Sequence, residues 1–301
     1  MKLAVTGATG FVGGHLLDAA ATAGHQVAAL TRRPQPPRDG VEWIAGALDD
    51  RIALDRLVEG ADAVIHVAGV VNAPDAAGFE AGNVLGTGVV LAAAENAGIA
   101  RFVHTSSLAA REPLLSHYGA SKARSEALVA ASSRSTAIVR PPAIYGPGDR
   151  ELLEMFRMAR KGFVLLPPAG RLSLLHAADL ARLLIALAAP TAPTGILEPD
   201  DGHPGGYSHV EFGHALGKAV GRPVRTLSMP GPVLGLAARI DRLARGAKAK
   251  LTPDRAGYLR HPDWVATPER SPPPELWSAQ ILTPQGLADT TAWYRTAGWL
   301  D

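Results

Sequence analysis

The sequence predicts an α/β fold, a doubly wound parallel sheet with a smaller C-terminal lobe, and three features predict it. Short apolar runs alternate with helically spaced segments from Lys2 to Arg140. A glycine-rich turn follows the first of those runs at once. Beyond Tyr145 the alternation loosens, and prolines and glycines cluster at 141–148, 167–170, 190–205 and 230–235.

Taken in order, Lys2–Thr6 reads as a strand and Gly7–Gly14 as a turn. Phe11–Ala23 has helical spacing, with Phe11, Leu16, Leu17 and Ala20 expected on its buried side. Strands are expected at Gln26–Thr31 and Val41–Gly46, with a short helix at Ile52–Glu59. Ala61–Ala68 is a near-continuous apolar run, the mark of a strand buried on both faces. Ala76–Ala97 reads as a long helix whose interior glycines, Gly82, Gly86 and Gly88, argue against regularity. Arg101–Ser106 is a fifth strand, Tyr118–Ala131 a helix and Thr136–Arg140 a sixth strand. Parallel neighbours need crossover connections, which this alternation supplies. Leu172–Ala188 reads as one more strand and helix returning to the core, and helices are expected near 208–220 and 232–245. The expected division is a nucleotide-binding domain at 1–147, rejoined by 171–190, and a substrate-binding lobe from 148–170 and 191–301.

Composition narrows the function. Hydrophobic residues make up 47% of the chain and charged residues 19%, enough for a sizeable core. The net charge is only +2 and there is no long basic run, which argues against a nucleic-acid partner. There are no cysteines, so disulfides, thiolate metal sites and cysteine nucleophiles are excluded. Glycines break the apolar N-terminus and the run Leu183–Ala189 is short, so neither a signal peptide nor a membrane span is expected. The expectation is a soluble, cytoplasmic protein.

Gly7, Gly10 and Gly13 stand in TGATGFVG between a strand and a helix, spaced G-x-x-G-x-x-G. Such a turn brings backbone N–H groups to a pyrophosphate at a helix N-terminus, where side chains would block the approach. The strand before and the helix after lift this above an ordinary turn. At the end of the second strand stand Arg32 and Arg33, with no acid before Asp39. A carboxylate there would accept from a ribose 2′-hydroxyl, whereas a guanidinium pairs with a 2′-phosphate. The dinucleotide expected is therefore NADP, in preference to NAD.

Tyr118 and Lys122 stand four apart on a helix and so share a face. A phenol has a reference pKa of about 10. A neighbouring ammonium and a bound nicotinamide cation would draw it towards working pH, fitting Tyr118 to pass a proton to or from a substrate oxygen. Ser107, after the fifth strand, is placed to hydrogen-bond the same oxygen.

In these motifs the chain resembles the extended short-chain dehydrogenases/reductases, of the NAD-dependent epimerase/dehydratase type. The resemblance runs through TGATGFVG, VIHVAG at 64–69, NVLGT at 83–87, RFVHTSS at 101–107, YGASK at 118–122 and RPPAIYGPGD at 140–149. It continues in RLSLLHAADLA at 171–181 and GLADTTAWYRTAGWL at 286–300. The resemblance implies Tyr118 as acid/base, Lys122 on the nicotinamide ribose, Ser107 as oxygen stabiliser and Asn83 as support for a proton relay through the lysine. It also implies cofactor contacts from Gly7, Thr9, Gly10, Phe11, Val12, Gly13, Ala68, Gly69 and Thr105, with Pro141 and Pro142 beside the nicotinamide. Two features depart from the family. Ala47-Leu48, counted among the cofactor contacts, stands where many members have an Asp-Leu pair that contacts adenine, leaving adenine recognition to Leu48 or Asp49, or looser. Only eleven positions separate Ser107 from Tyr118, where many members carry an insertion that shapes the substrate site.

Other polar residues have plainer readings. His66 is expected as a packed core histidine, and His176 with Asp179 as a cap and structural pair. His203, His209 and His214 lack metal-ligand spacing, and no metal is expected. Arg111 is expected as a solvated loop arginine. Val233–Lys250, apolar and then basic, reads as a lobe helix with a solvated face, its alternative being contact with a membrane surface or acidic partner. The leading function is NADP(H)-dependent hydride transfer to or from a hydroxyl or carbonyl of a small apolar or amphipathic molecule, as RPPAIYGPGD and RLSLLHAADLA resemble the steroid-dehydrogenase and dihydroflavonol-reductase branch. Alternatives are a nucleotide-sugar epimerase or dehydratase with tightly bound NAD, and a non-catalytic cofactor sensor or assembly subunit. Family analogy adds a homodimer through the tyrosine-bearing helix.

Overall fold

Residues 63–66 are buried at every position, and a strand so placed needs a neighbour on each edge. In the computed structural model, which describes residues 1–246, 249 and 251–301, it has them. We label the strands β1 (Lys2–Thr6), β2 (Gln26–Thr31), β3 (Val41–Ala45), β4 (Ala63–His66), β5 (Arg101–Thr105) and β6 (Ser135–Val139). A seventh strand, Gly195–Leu197, joins the edge beside β6. The order across the sheet is seventh strand, β6, β5, β4, β1, β2, β3, every pair parallel. Direction of travel reverses between β1 and β4, the switch point at which doubly wound sheets bind ligands.

The connecting helices are α1 (Phe11–Thr22), α2 (Arg51–Val58), α3 (Ala76–Asn96) and α4 (His117–Ala130). Leu54, Leu57, Val90 and Ala94 pack with Ala4, Ala28, Ile44, Val64 and Phe102 in one core. The middle of α3, Glu80–Leu85, is a π-helical turn, so the irregularity signalled by the glycines is real. A Cβ on Gly82 would stand 2.3 Å from Val70 Cγ2, which is why that turn carries no side chain there. Ala76–Asn96 is long and apolar enough to cross a bilayer by length and composition. Phe79, Val84, Val90 and Leu91, however, are buried, as befits a core helix.

These elements belong to the first of two units: Met1–Pro141, Ala178–Pro199 and Pro272–Trp277. The helix Ala177–Leu187 returns to it, held by a side chain the sequence did not flag. Arg101, 1% exposed, donates to the Leu187 and Pro193 carbonyls at 2.6 and 2.8 Å and to Ser135 Oγ at 2.9 Å. Two carbonyls at and beyond the helix's last turn thus satisfy a buried guanidinium.

The second unit comprises Pro142–Ala177, Asp200–Ser271 and Ser278–Asp301. Its core joins Tyr145, Phe156, Leu216, Leu287 and Tyr294, drawn from the helices Leu153–Arg160, His209–Val220 and Thr283–Thr296 among others. His209–Val220 begins with a capping box of Ser208 and Glu211 and ends at Gly221, whose φ of 76° suits a residue without a Cβ. The helix Gly231–Arg245 rests on a small cluster of its own through Leu234, Ala238 and Ala256.

Two expectations are corrected. The returning strand does not enter the main sheet: Leu174–His176 pairs with Ala143–Tyr145 inside the second unit. The strand that does enter is Gly195–Leu197, too short to stand out in a stretch rich in proline and glycine. Accordingly the units change over at Pro141, not 147, and the returning segment is 178–199, not 171–190.

Candidate active site

The glycine turn is shaped by close backbone approach. A Cβ on Gly13 would lie 2.1 Å from the Gly7 carbonyl oxygen, and Gly7 itself has φ +76°. Gly10 N–H donates to Gly7 O at 3.0 Å, closing the turn. The start of α1 differs from other helix starts in this unit. Asp50 caps α2 by accepting from Ala53 N–H, and Ser116 caps α4 by accepting from Gly119 N–H. No side chain caps α1, so the amides at its start have no side-chain partner and could meet water or an anion. Thr9 and Gly10 are exposed beside them, while Phe11 and Val12 are half-buried.

Arg32 and Arg33 follow β2 and are both exposed. Among the described residues neither takes part in an ion pair; the Arg33 backbone is held by Thr31, whose hydroxyl donates to Arg33 O at 2.7 Å. Past β3, Ala47 and Leu48 are half-buried. Leu48 packs on the core and lies where a Cβ on Gly86 would meet its Cδ1 at 2.9 Å. Asp49 is exposed.

The second half of the site is built on α4. Capping by Ser116 puts Tyr118 in the first turn and Lys122 one turn on. The Tyr118 phenol is hydrogen-bonded to Ser107, whose Oγ also accepts from Ala109 N–H at 3.2 Å. Burial pushes the phenol above its ordinary value, and the Ser107 bond pulls it back. The ammonium expected to lower the phenol points elsewhere: Lys122 Nζ donates to the Thr105 carbonyl at 2.9 Å. Lys122 is 4% exposed, and burial lowers its own pKa to about 8 against a pull upward from Glu126. Thr105 Oγ1 is buried with no partner among the described residues.

Asn83 stands on the π-helical turn of α3, a device frequent at functional sites. Its Oδ1 accepts from Val70 N–H at 2.6 Å, and its Nδ2 donates to Val70 O and Ser121 Oγ, each at 2.9 Å. The side chain therefore clamps the strand exit to α4. Gly69 sits where they converge: its Cβ would lie 3.1 Å from both Asn83 Oδ1 and Lys122 Nζ. Ala68 N–H is tied to Thr6 Oγ1 at 3.3 Å.

His66 proves to be a core residue. Thr87 Oγ1 donates to Asn83 O, so it accepts from His66 Nε2–H at 3.0 Å, and His66 Nδ1 accepts from Thr6 at 2.7 Å. Burial, then Lys122, hold the imidazole neutral, its pKa lowered to about 3. It stacks on His104, which is lowered for the same reasons. Two neutral imidazoles thus brace β4 and β5 behind the site.

A buried ionic chain went unrecognised in the sequence. Ser106 Oγ donates to Glu126 Oε1 at 2.5 Å, and Arg140 grips Glu126 with Nε at 2.8 Å and Nη2 at 2.5 Å. Arg140 also reaches Glu198, which is fully buried, at 3.2 Å, and Arg111 meets Glu198 at 3.5 Å. Arg111 is therefore no solvated loop arginine. The available signal was spacing, since Glu126 follows Tyr118 and Lys122 at the same interval of four. Pro141 ends this unit, its carbonyl accepting from Leu108 N–H at 3.1 Å, and Pro142 begins the other.

The donor set suits a dinucleotide phosphate: uncapped amides, two exposed guanidiniums and an orphan hydroxyl beside a buried lysine. Comparison with known proteins agrees. Residues 3–195 match the model of the NAD dependent epimerase/dehydratase family. The chain is 40% identical to the ceramide reductase of Caulobacter vibrioides, over 99% of this chain and 96% of that one. Among solved structures it resembles the Bordetella bronchiseptica enzyme WbmG in complex with NAD, at TM-score 0.76 and 21% identity, over 100% of this chain and 96% of that one. It also resembles the human epimerase family protein SDR39U1 (isoform 2) with NADPH, at TM-score 0.74 and 19% identity, over 97% and 99%. The chain belongs to the NAD-dependent epimerase/dehydratase family, the extended short-chain dehydrogenases/reductases. It is an NAD(P)-dependent oxidoreductase or epimerase of that type, and its cofactor is a nicotinamide dinucleotide.

Proposed function

We propose that the chain is an NADPH-dependent reductase of a ketone on a ceramide-class lipid, with Tyr118 as the proton donor. The observation that carries the chemistry is the Tyr118 phenol hydrogen-bonded to Ser107, with Lys122 buried one turn away on the same helix. The identity to a ceramide reductase over almost the full length of both chains supports the substrate class.

Bound NADPH supplies a hydride to the carbonyl carbon. Tyr118 Oη gives its proton to the carbonyl oxygen, and the Ser107 hydroxyl donates a hydrogen bond to that oxygen as charge builds. A phenol held above its ordinary pKa by burial keeps its proton at neutral pH, as a donor must. Lys122, its ammonium held at the Thr105 carbonyl, would bind the nicotinamide ribose. Asn83 is assigned to positioning: it holds Val70 and Ser121 around the lysine, in line with a proton relay through it.

The α1 start at Gly7, Thr9, Gly10, Phe11, Val12 and Gly13 takes the pyrophosphate, and Ala47 and Leu48 flank the adenine. Arg32 and Arg33 take the 2′-phosphate, with Ala68, Gly69, Thr105, Pro141 and Pro142 on the nicotinamide side. The second unit is the proposed substrate-binding lobe.

The test is oxidation of NADPH and of NADH by a keto-ceramide in detergent micelles. One NADPH consumed per ketone reduced is expected. An Arg32→Ala/Arg33→Ala variant should bind NADPH about tenfold more weakly, a loss of about 1.4 kcal/mol, with NADH binding unmoved. Equal loss for both dinucleotides would remove the arginines from the 2′-phosphate. No turnover, with tightly held NAD co-purifying, would replace the reductase reading with the epimerase one.

A further inference from the structure

Within the second unit, the helix Gly231–Arg245 inverts the usual arrangement of a surface helix. Only Leu234 and Ala238 are buried, against Ala256. Its other large apolar residues face solvent: Val233 is 51% exposed, Leu236 59%, Ile240 57% and Leu243 86%. At 3.6 residues per turn these four fall within an arc of about 80°, and Ala237 and Ala244 fall beside them. Scattered exposed apolar residues are ordinary, but four large ones on one stripe of one helix are not.

The flank of that stripe is cationic. Arg239 and Arg242 follow it on one side, and Arg245 pairs with Asp241 at 3.1 Å on the packed side. Residues 222–260 carry nine basic and two acidic side chains, a net charge of +7 in a chain whose total is +2. The remainder of the protein is therefore net negative. Two of the nine, Lys248 and Lys250, lie outside the described residues and enter only by their charge in the sequence.

We infer that Gly231–Arg245 docks the enzyme on the surface of a bilayer bearing anionic phospholipids. The stripe of Val233, Leu236, Ile240 and Leu243 enters the acyl boundary, and the arginine stems run up to headgroup phosphates. A protein partner would need a matching acidic groove, whereas an anionic bilayer meets both the apolar arc and its basic flank. Charge is concentrated on this segment while the rest of the chain is net negative, which favours this helix over other segments as the contact with such a surface. The inference stands apart from the proposed reaction, although a lipid substrate would be met at the same surface.

The experiment is co-flotation of the full-length protein, without substrate or cofactor, with vesicles of phosphatidylcholine alone or mixed with phosphatidylglycerol at about three to one. Binding to the mixed vesicles is expected, weakening as salt rises and at least tenfold weaker on phosphatidylcholine alone. A Leu236→Asn/Ile240→Asn/Leu243→Asn variant should lose binding at least tenfold. It should keep its melting temperature and its thermal shift with NADPH. Absence of binding to mixed vesicles, or unchanged binding by the variant, would overturn the inference. So would a concentration-dependent dimer that the variant abolishes, since the stripe would then belong to a second copy of the chain. Because flotation is read without substrate, failure of the reductase reading would leave this result standing, and the reverse.

Discussion

Two helices of this protein break the rule of apolar inside and polar outside, in opposite directions. α4 turns polar groups inward: Ser121 and Ser125 are fully buried, Lys122 is 4% exposed and Glu126 5%. Gly231–Arg245 turns leucine and isoleucine outward. Each departure has a physical cost, desolvated charge in one case and hydrated hydrocarbon in the other. In α4 that cost is offset within the unit by specific bonds to Thr105, Ser106 and Arg140. In Gly231–Arg245 nothing among the described residues offsets it, and so that helix points to something outside the chain.

The largest effect that would test this contrast is on Tyr118. Tyr118→Phe keeps the ring and removes the proton, so turnover should fall by about 10³-fold while the thermal shift with NADPH persists. Full activity in that variant would deprive α4 of its chemical role and leave its buried charges purely structural.

Next comes Glu126. Glu126→Ala leaves Arg140 with one buried partner fewer and should lower stability by about 3 kcal/mol, read from denaturant unfolding. Glu126→Gln probes the site through pH. Lys122 titrates near 8 in the folded chain, so activity that needs its charge declines as pH rises through about 8. Glu126 pulls that pKa upward, so the glutamine variant should move the alkaline limb of kcat/KM to lower pH. An unmoved limb would separate Glu126 from the lysine. The sign for stability is the reverse of a favourable pair. A lysine depressed from 10.5 to about 8 carries its burial cost in full below pH 8, and the cost is gone above the unfolded value.

The smallest effect belongs to the outward helix. Leu243→Asn, at a site 86% exposed, should change unfolding free energy by no more than about 0.5 kcal/mol. A loss several times larger would mean that Leu243 packs against the protein, and the two helices would no longer be opposites.

Much of the first unit was legible. β1 and β2 stand where the apolar runs placed them, because a strand buried on both faces has little choice of composition. Gly7 and Gly13 were legible for a similar reason, since a Cβ at either would collide with backbone. The seventh strand was not. Gly195, Ile196 and Leu197 contain no period, and only pairing with Ala137, Ile138 and Val139 makes them a strand. The π turn appeared as irregularity alone, because hydrogen-bond shift leaves no residue signature beyond the glycines.

Charged residues divide in the same way. Arg111, Arg140 and Glu198 look like surface residues in the chain, and Arg101 gives no hint that it is buried. Each is inside because another segment, distant in sequence, supplies its partner. The sequence alone determined the alternating αβ order, the glycine turn, the Tyr118–Lys122 face and the family, all set by local spacing. Tertiary structure alone decided that Lys122 bonds Thr105, that Asn83 holds Val70, and that Glu126 faces in while Leu243 faces out. Spacing says which residues share a face of a helix; only packing against the rest of the chain says whether that face meets protein or water.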